Sequence, residues 1–335
     1  MFSKLVLIAF VVTFVVVVLG AWVRLSDAGL GCPDWPGCYG VITVPQSEST
    51  LERAAQAWPE RPVDAGKAWR EMIHRYAAGI LGVLVFVIAV IAWRRRREPG
   101  HPFKLPLAIA ALVVFQALLG MWTVTLLLKP AIVMAHLLGG MTILALLWLL
   151  LLRSAGMLRA PPIAGLLRAP PIAGLRGLAY AAVAVVALQI ALGGWTSANY
   201  AALACPDFPT CQAEWWPDMD FKEGFVLWRE VGVDYEGGLL DLPARAAIHK
   251  AHRLGALFTL LFVGALALTL WLRGRQRVWR GLGVAIGGML LLQVLVGVLT
   301  VVRGHPLALA AAHNAGAALL LLSVVALAYA AARNR

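Results

Sequence analysis

Eight separate stretches of this chain are each long and apolar enough to cross a lipid bilayer, and that constrains the fold more than any motif. They run near 5–23, 72–93, 104–128, 131–152, 177–197, 246–272, 279–302 and 306–331. A hydrocarbon core of about 30 Å takes roughly 20 residues of helix to cross. In lipid, every backbone polar group must be bonded within its segment or to a close partner. Long, continuous runs of Leu, Ala and Val meet that demand as helices. The composition agrees: 61% of the 335 residues are hydrophobic and 14% are charged, against about 25% charged in soluble domains. The expected fold class is therefore all-α integral membrane, with eight transmembrane helices. The first stretch follows Lys4 as a secretory signal would. It lacks a small-x-small cleavage site and has a counterpart later in the chain, so it is expected to be retained.

Charge sets the expected orientation. With the N-terminus inside, the inner segments hold 16 basic residues and one acid, Glu98, while the outer segments hold 13 basic and 16 acidic residues. Basic residues keep short loops cytoplasmic, so both termini are expected on the cytoplasmic side. The formal charge of +12 is thus a topology signal, and nucleic acid is not an expected partner. The run Arg94-Arg95-Arg96-Arg97 reads as a headgroup anchor beside lipid.

The chain also repeats itself. Gly20-Ala-Trp22 precedes Cys32-Pro-Asp-Trp-Pro-Gly-Cys38, and Gly193-Gly-Trp195 precedes Cys205-Pro-Asp-Phe-Pro-Thr-Cys211, at an offset of 173. His74-Arg75 recurs as His252-Arg253 at an offset of 178, and Gln116 with His136 recurs as Gln293 with His313 at 177. One four-helix unit has been copied. An even helix number per copy gives parallel halves about an axis along the membrane normal. The expected organisation is an N-terminal half over 1–153, a cytoplasmic linker over 154–176 and a C-terminal half over 177–335. The linker carries LRAPPIAGL twice in tandem and reads as flexible. The outer segments 24–70 and 198–245 are long enough to be functional or partly disordered.

His74, His136, His252 and His313 lie early in helices that all run from outside to inside, so they share one depth. Each half supplies two histidines on parallel helices, enough to clamp one haem iron from both sides within a bundle. Ionisable groups in spanning segments mark function by default. Zinc would want further Cys or carboxylate ligands, and no CxxCH is present for covalent haem. Arg24, Arg75 and Arg253 are candidate partners for haem propionates, or else for headgroups and loop acids. Glu71 lies three residues before His74, on the same helix face, where it could exchange a proton or merely cap the helix. The matching position is His249, which is given no role. Both Cys pairs fall on the expected oxidising side. Their tight two-proline loops predict Cys32–Cys38 and Cys205–Cys211 disulfides, structural or, for the first pair, redox-active.

Together these landmarks resemble the haem A synthase family, over nearly the whole chain. The residues that carry the resemblance are Gly20-Ala-Trp-Val-Arg24-Leu, Gly29 through Cys38, Glu71-Met-Ile-His74-Arg75, His136, His252-Arg253 and His313. The resemblance implies two pseudo-symmetric four-helix bundles. It implies that His74 and His136 bind haem O as substrate, with Glu71 aiding oxidation of a ring methyl to a formyl by successive hydroxylations. It implies that His252 and His313 ligate haem b. Implied partners are haem O and haem A, with haem O synthase, terminal oxidase assembly factors and a second copy as candidates. A prokaryotic plasma membrane is expected, because no transit peptide precedes the first helix. Two other classes compete. A di-haem b-type electron-transfer cytochrome would place haems near both faces, and a transporter would need broken helices.

Overall fold

The computed structural model describes residues 1–154 and 172–333. Its spanning helices are α1 (Phe2–Leu25), α3 (Ala65–Arg94), α4 (Lys104–Thr125), α5 (Pro130–Ser154), α6 (Leu175–Ala198), α8 (Leu242–Arg273), α9 (Arg277–Val302) and α10 (Leu307–Ala332). All eight are long and apolar enough to cross a membrane, and each is a single continuous helix. Among the described residues there is no strand, only the isolated bridges Cys38–Val41 and Cys211–Glu214. Two short helices, α2 (Glu48–Ala57) and α7 (Phe221–Gly224), lie in the loops that carry the cysteines. Most of the tandem LRAPPIAGL lies outside the described residues.

The packing forms two rings of four. Helices α1, α3, α4 and α5 close one ring, and α6, α8, α9 and α10 close the other. They meet where α5 packs on α6, α1 on α10, and α5 on α10. Exchanging the halves maps this contact set onto itself, which is compatible with two copies about a shared axis. One core joins Leu144 of α5 to Ile286, Leu321 and Leu327 of the second ring, while Val6, Val85 and Leu147 centre the first. The outward faces carry Leu7, Val11, Val83, Val90, Leu257 and Leu261, all exposed. Such a stripe belongs in lipid, where apolar surface need not be hidden.

Two helices start well before the apolar run. Helix α3 begins at Ala65, seven residues before the expected 72, and α8 begins at Leu242, four before 246. Both starts are fixed by an aspartate N-cap. Asp64 accepts from the Lys67 N–H at 3.0 Å and Asp241 from the Ala244 N–H at 3.0 Å, the usual answer to unpaired first-turn donors. The extra turns carry Lys67, Arg70 and Glu71 above the lipid-matched segment. The Cys-bearing loops are ordered and lie on these raised turns. A backbone approach at Gly31 is so close that a Cβ there would meet the Lys67 carbonyl carbon at 2.6 Å.

Candidate haem-binding sites

His74 is the tenth residue of α3, His136 the seventh of α5, His252 the eleventh of α8 and His313 the seventh of α10. All four helices start on the Cys-loop side, so the four rings share that side of the bundle. Each ring rests on a glycine of the spanning helix before it. A Cβ at Gly20 would lie 3.0 Å from His74, at Gly120 3.2 Å from His136, at Gly193 3.1 Å from His252 and at Gly297 2.7 Å from His313.

Three of the four contacts share a further device. One turn before the glycine a glutamine reaches across and donates to the histidine's own backbone carbonyl. Gln116 bonds His136 at 2.6 Å, Gln189 bonds His252 at 3.1 Å and Gln293 bonds His313 at 2.9 Å. Three residues after each histidine, Gly139, Gly255 and Gly316 make room for that amide, whose oxygen lies where a Cβ would be. The fourth contact lacks the device. Val16 stands in the glutamine's place and Ala77 in the glycine's.

This donor set suits haem. The Nδ1 atoms of His74, His136 and His313 are buried without a partner, which is costly unless a ligand orders the ring. The rings of His252 and His313 have centroids 6.5 Å apart at an interplanar angle of 88°. Metal–imidazole bonds of about 2 Å on opposite sides of one iron give a centroid separation of roughly 6 Å. Among the described residues no group of three or more His, Cys, Asp or Glu could hold a metal ion by itself.

Glu71 is buried, and its carboxylate is fully engaged. One oxygen accepts from the Cys32 N–H at 2.9 Å and the other pairs with Arg75 at 2.5 Å, while the Gly31 N–H points at the same group. Capping falls to Asp64, so that reading of Glu71 does not hold. Arg75 in turn donates to the carbonyls of Asp34, Pro36 and Gly37. Arg253 repeats this, donating to Thr210 at 2.6 Å and Cys205 at 2.8 Å, with its Nε 3.3 Å from His249. Both guanidiniums therefore clasp the Cys loops. Arg24 ties the halves together, donating to the Ser197 carbonyl at 2.6 Å and stacking on Tyr200 at 4.0 Å.

Both disulfides, Cys32–Cys38 and Cys205–Cys211, are formed, and all four cysteines are buried. Each loop is folded round an aspartate. Asp34 accepts from the Tyr39 and Gly40 N–H groups at 2.6 and 2.8 Å. Asp207 accepts from Thr210, Gln212 and Ala213. The Thr210 hydroxyl, followed by those backbone donors, holds the Asp207 carboxyl below the usual carboxylate range.

The sequence has known relatives. The chain matches COX15-CtaA, cytochrome oxidase assembly protein, over residues 3–325. It belongs to that family. A protein named heme A synthase from Shewanella oneidensis is 44% identical over 322 residues, covering 96% of this chain and 94% of its own length. Proteins of the same name from Halalkalibacterium halodurans and Caulobacter vibrioides are each 26% identical, covering 96% and 94% of this chain and 94% and 92% of their own.

In this COX15-CtaA protein several residues of the site carried a sequence signal that the landmarks alone did not single out. The pattern Gln-x3-Gly on one helix and His-x2-Gly on the next occurs three times, and Gln189 belongs to it as much as Gln116 and Gln293. His305, in the turn before α10, faces His249 with ring centroids 6.4 Å apart. Lys129, at the start of α5, is buried to 1% exposure with no hydrogen-bond partner on its ammonium. It reads as an ordinary loop lysine until the fold covers it.

Proposed function

We propose that this protein is a haem A synthase, an oxidoreductase of the membrane that oxidises the ring methyl of haem O to a formyl group. The observation that carries the reading is an asymmetry at one register position. The first ring has Glu71 three residues before its α3 histidine, and the second has His249 there. On this reading His74 and His136 hold the substrate haem O. His252 and His313 hold haem b, which supplies one-electron chemistry when bound. Full-length relatives named heme A synthase support the reading. The electron-transfer alternative is not favoured, and continuous spans speak against a transporter.

The residues present divide the work as follows. His74 and His136 orient the substrate ring from facing helices. The glycines beneath them set the depth of each imidazole. Arg75 and the Cys32 N–H hold the Glu71 carboxylate, so a proton arriving at Glu71 displaces one of these partners. That links the carboxylate's protonation to the first Cys loop. Apolar walls exclude water and strengthen each of these contacts. The loops and histidines would face outward from a prokaryotic plasma membrane, with both termini cytoplasmic.

The test uses cells that also make haem O. The protein is purified, its non-covalent haems are extracted into acid-acetone, and these are identified by chromatography with mass spectrometry. Haem A or its hydroxylated precursor beside haem B is expected from the parent, and haem A is expected to be missing from Glu71→Ala. Haem B alone from the parent would refute the reading.

A further inference from the structure

Lys129 is in an electrostatically poor place. It is fully desolvated, its Nζ has no hydrogen-bond partner, and it makes no salt bridge among the described residues. It precedes Pro130, so it sits at the positive end of the α5 dipole, where anions rather than cations are favoured. None of the nearby acids of the covering loop pairs with it: Glu223 pairs with Arg229 at 2.7 Å, Asp234 with Arg61 at 2.7 Å and Glu236 with Lys67 at 3.7 Å, while Glu230 is exposed and makes no salt bridge among the described residues. Nearby carbonyls are taken too, since Leu126 accepts from the Lys129 N–H and Leu127 from the Tyr235 N–H. The one compensation is the face of Trp228, whose centroid is 3.6 Å from Nζ. A buried ammonium without a counter-charge is among the costlier things a fold can retain.

Its position explains why it is kept. Lys129 lies seven residues before His136, two turns up the same face of α5 and about 10.5 Å along the axis. The register of the duplication puts Pro306 at the matching place in the second ring, so the cation belongs to the first ring alone. We propose that Lys129, with the N-terminus of α5, is an anion anchor that receives a carboxylate of the porphyrin substrate held at His136. The assignment rests on the synthase reading for the identity of that substrate. The shared chemistry is an anionic oxygen group, and the alternative source is a lipid phosphate.

The test compares haem O with its dimethyl ester, in which both carboxylates are neutral methyl esters. Purified full-length protein in nanodiscs of zwitterionic lipid is titrated with each. A charge-assisted contact of this kind corresponds to a preference of roughly ten- to a hundredfold for the free acid. The wild type is expected to show it, Lys129→Met to lose it and Lys129→Arg to keep most of it. Ligand-free Lys129→Met is expected to melt no lower than wild type, because an uncompensated buried charge has been removed. A preference that persists in Lys129→Met overturns the assignment. So does a lowered melting temperature with the preference intact, which would make Lys129 a support for Trp228. If anionic lipid raises the melting temperature of the wild type but not of Lys129→Met, with the ester preference unchanged in both, a lipid phosphate is the occupant and the assignment is wrong. If cells yield haem A while the preference persists, only the Lys129 assignment falls. If they yield none, the synthase reading falls and takes it along.

Discussion

Gly297→Ala is the sharpest perturbation of the second candidate haem site. The added Cβ would stand 2.7 Å from His313 Cε1, where ordinary contact begins at 3.4 Å. The ring must therefore retreat by about 0.7 Å, and a ligand constellation tolerates only about 0.5 Å. Alanine gains about 0.8–1.0 kcal/mol of helix propensity over glycine, while overpacking costs about 1–3 kcal/mol. The net penalty, roughly 0–2 kcal/mol, falls on the imidazole, and at its upper end corresponds to about 30-fold weaker haem retention. Gly193→Ala is milder, since its Cβ would lie 3.1 Å from His252, within that tolerance. Gly288→Ala, on the same helix α9 with nothing within 4 Å, is the control and should retain haem fully. The assay is haem per protein after purification, with the reduced-minus-oxidised optical spectrum and the low-spin electron paramagnetic signal. Full haem with an unchanged spectrum in Gly297→Ala would refute the reasoning. Equal loss in Gly288→Ala would show that any alanine in α9 is harmful and the packed ring irrelevant.

Cys38→Ser should lower conversion of haem O more than Cys211→Ser, because only the first loop presents a backbone N–H to Glu71. Each six-residue separation corresponds to about 2–3 kcal/mol of loop-closure stabilisation, so both should lower thermal stability alike. Product ratios from the acid-acetone extraction, set against melting curves, separate the two effects. Acid should act on the second Cys loop late. The Asp207 carboxyl is depressed in the folded state, so its stabilisation is full above the ordinary carboxylate pKa and is lost only as pH falls through the lower folded value. Limited proteolysis between Cys205 and Cys211 should therefore stay slow down to about pH 4 and rise below it, and Asp207→Asn should be nicked faster at neutral pH.

The spans were legible because lipid imposes one requirement that hydropathy measures directly. The duplication was legible because Cys, His and Trp are scarce enough for a fixed offset to stand out. The starts of α3 and α8 were not, since Lys67, Arg70 and Glu71 lie in turns that an apolar window rejects and an aspartate cap holds. The destinations of Arg75 and Arg253 were hidden for a different reason. Their partners are carbonyls of loops some 40 residues away, and a carbonyl carries no residue-type signature. Lys129 was hidden because its burial depends on Trp228 from the other half.

The glutamine device shows where the two levels meet. Gln189 and Val16 occupy equivalent places, as do Gly255 and Ala77. An alanine at 77 would clash with a glutamine reaching in from 16, and the strut and its socket are absent together. The histidine left without the strut is His74, in the ring that also holds Glu71 and Lys129. A ring meant to keep its haem gains from pinning both histidine backbones to the neighbouring helix. A ring meant to admit one haem and release another gains from leaving one of them free to yield. The three departures from symmetry, Glu71 for His249, Lys129 for Pro306 and Val16 for Gln189, thus fall in the same bundle, in keeping with the division of labour proposed above.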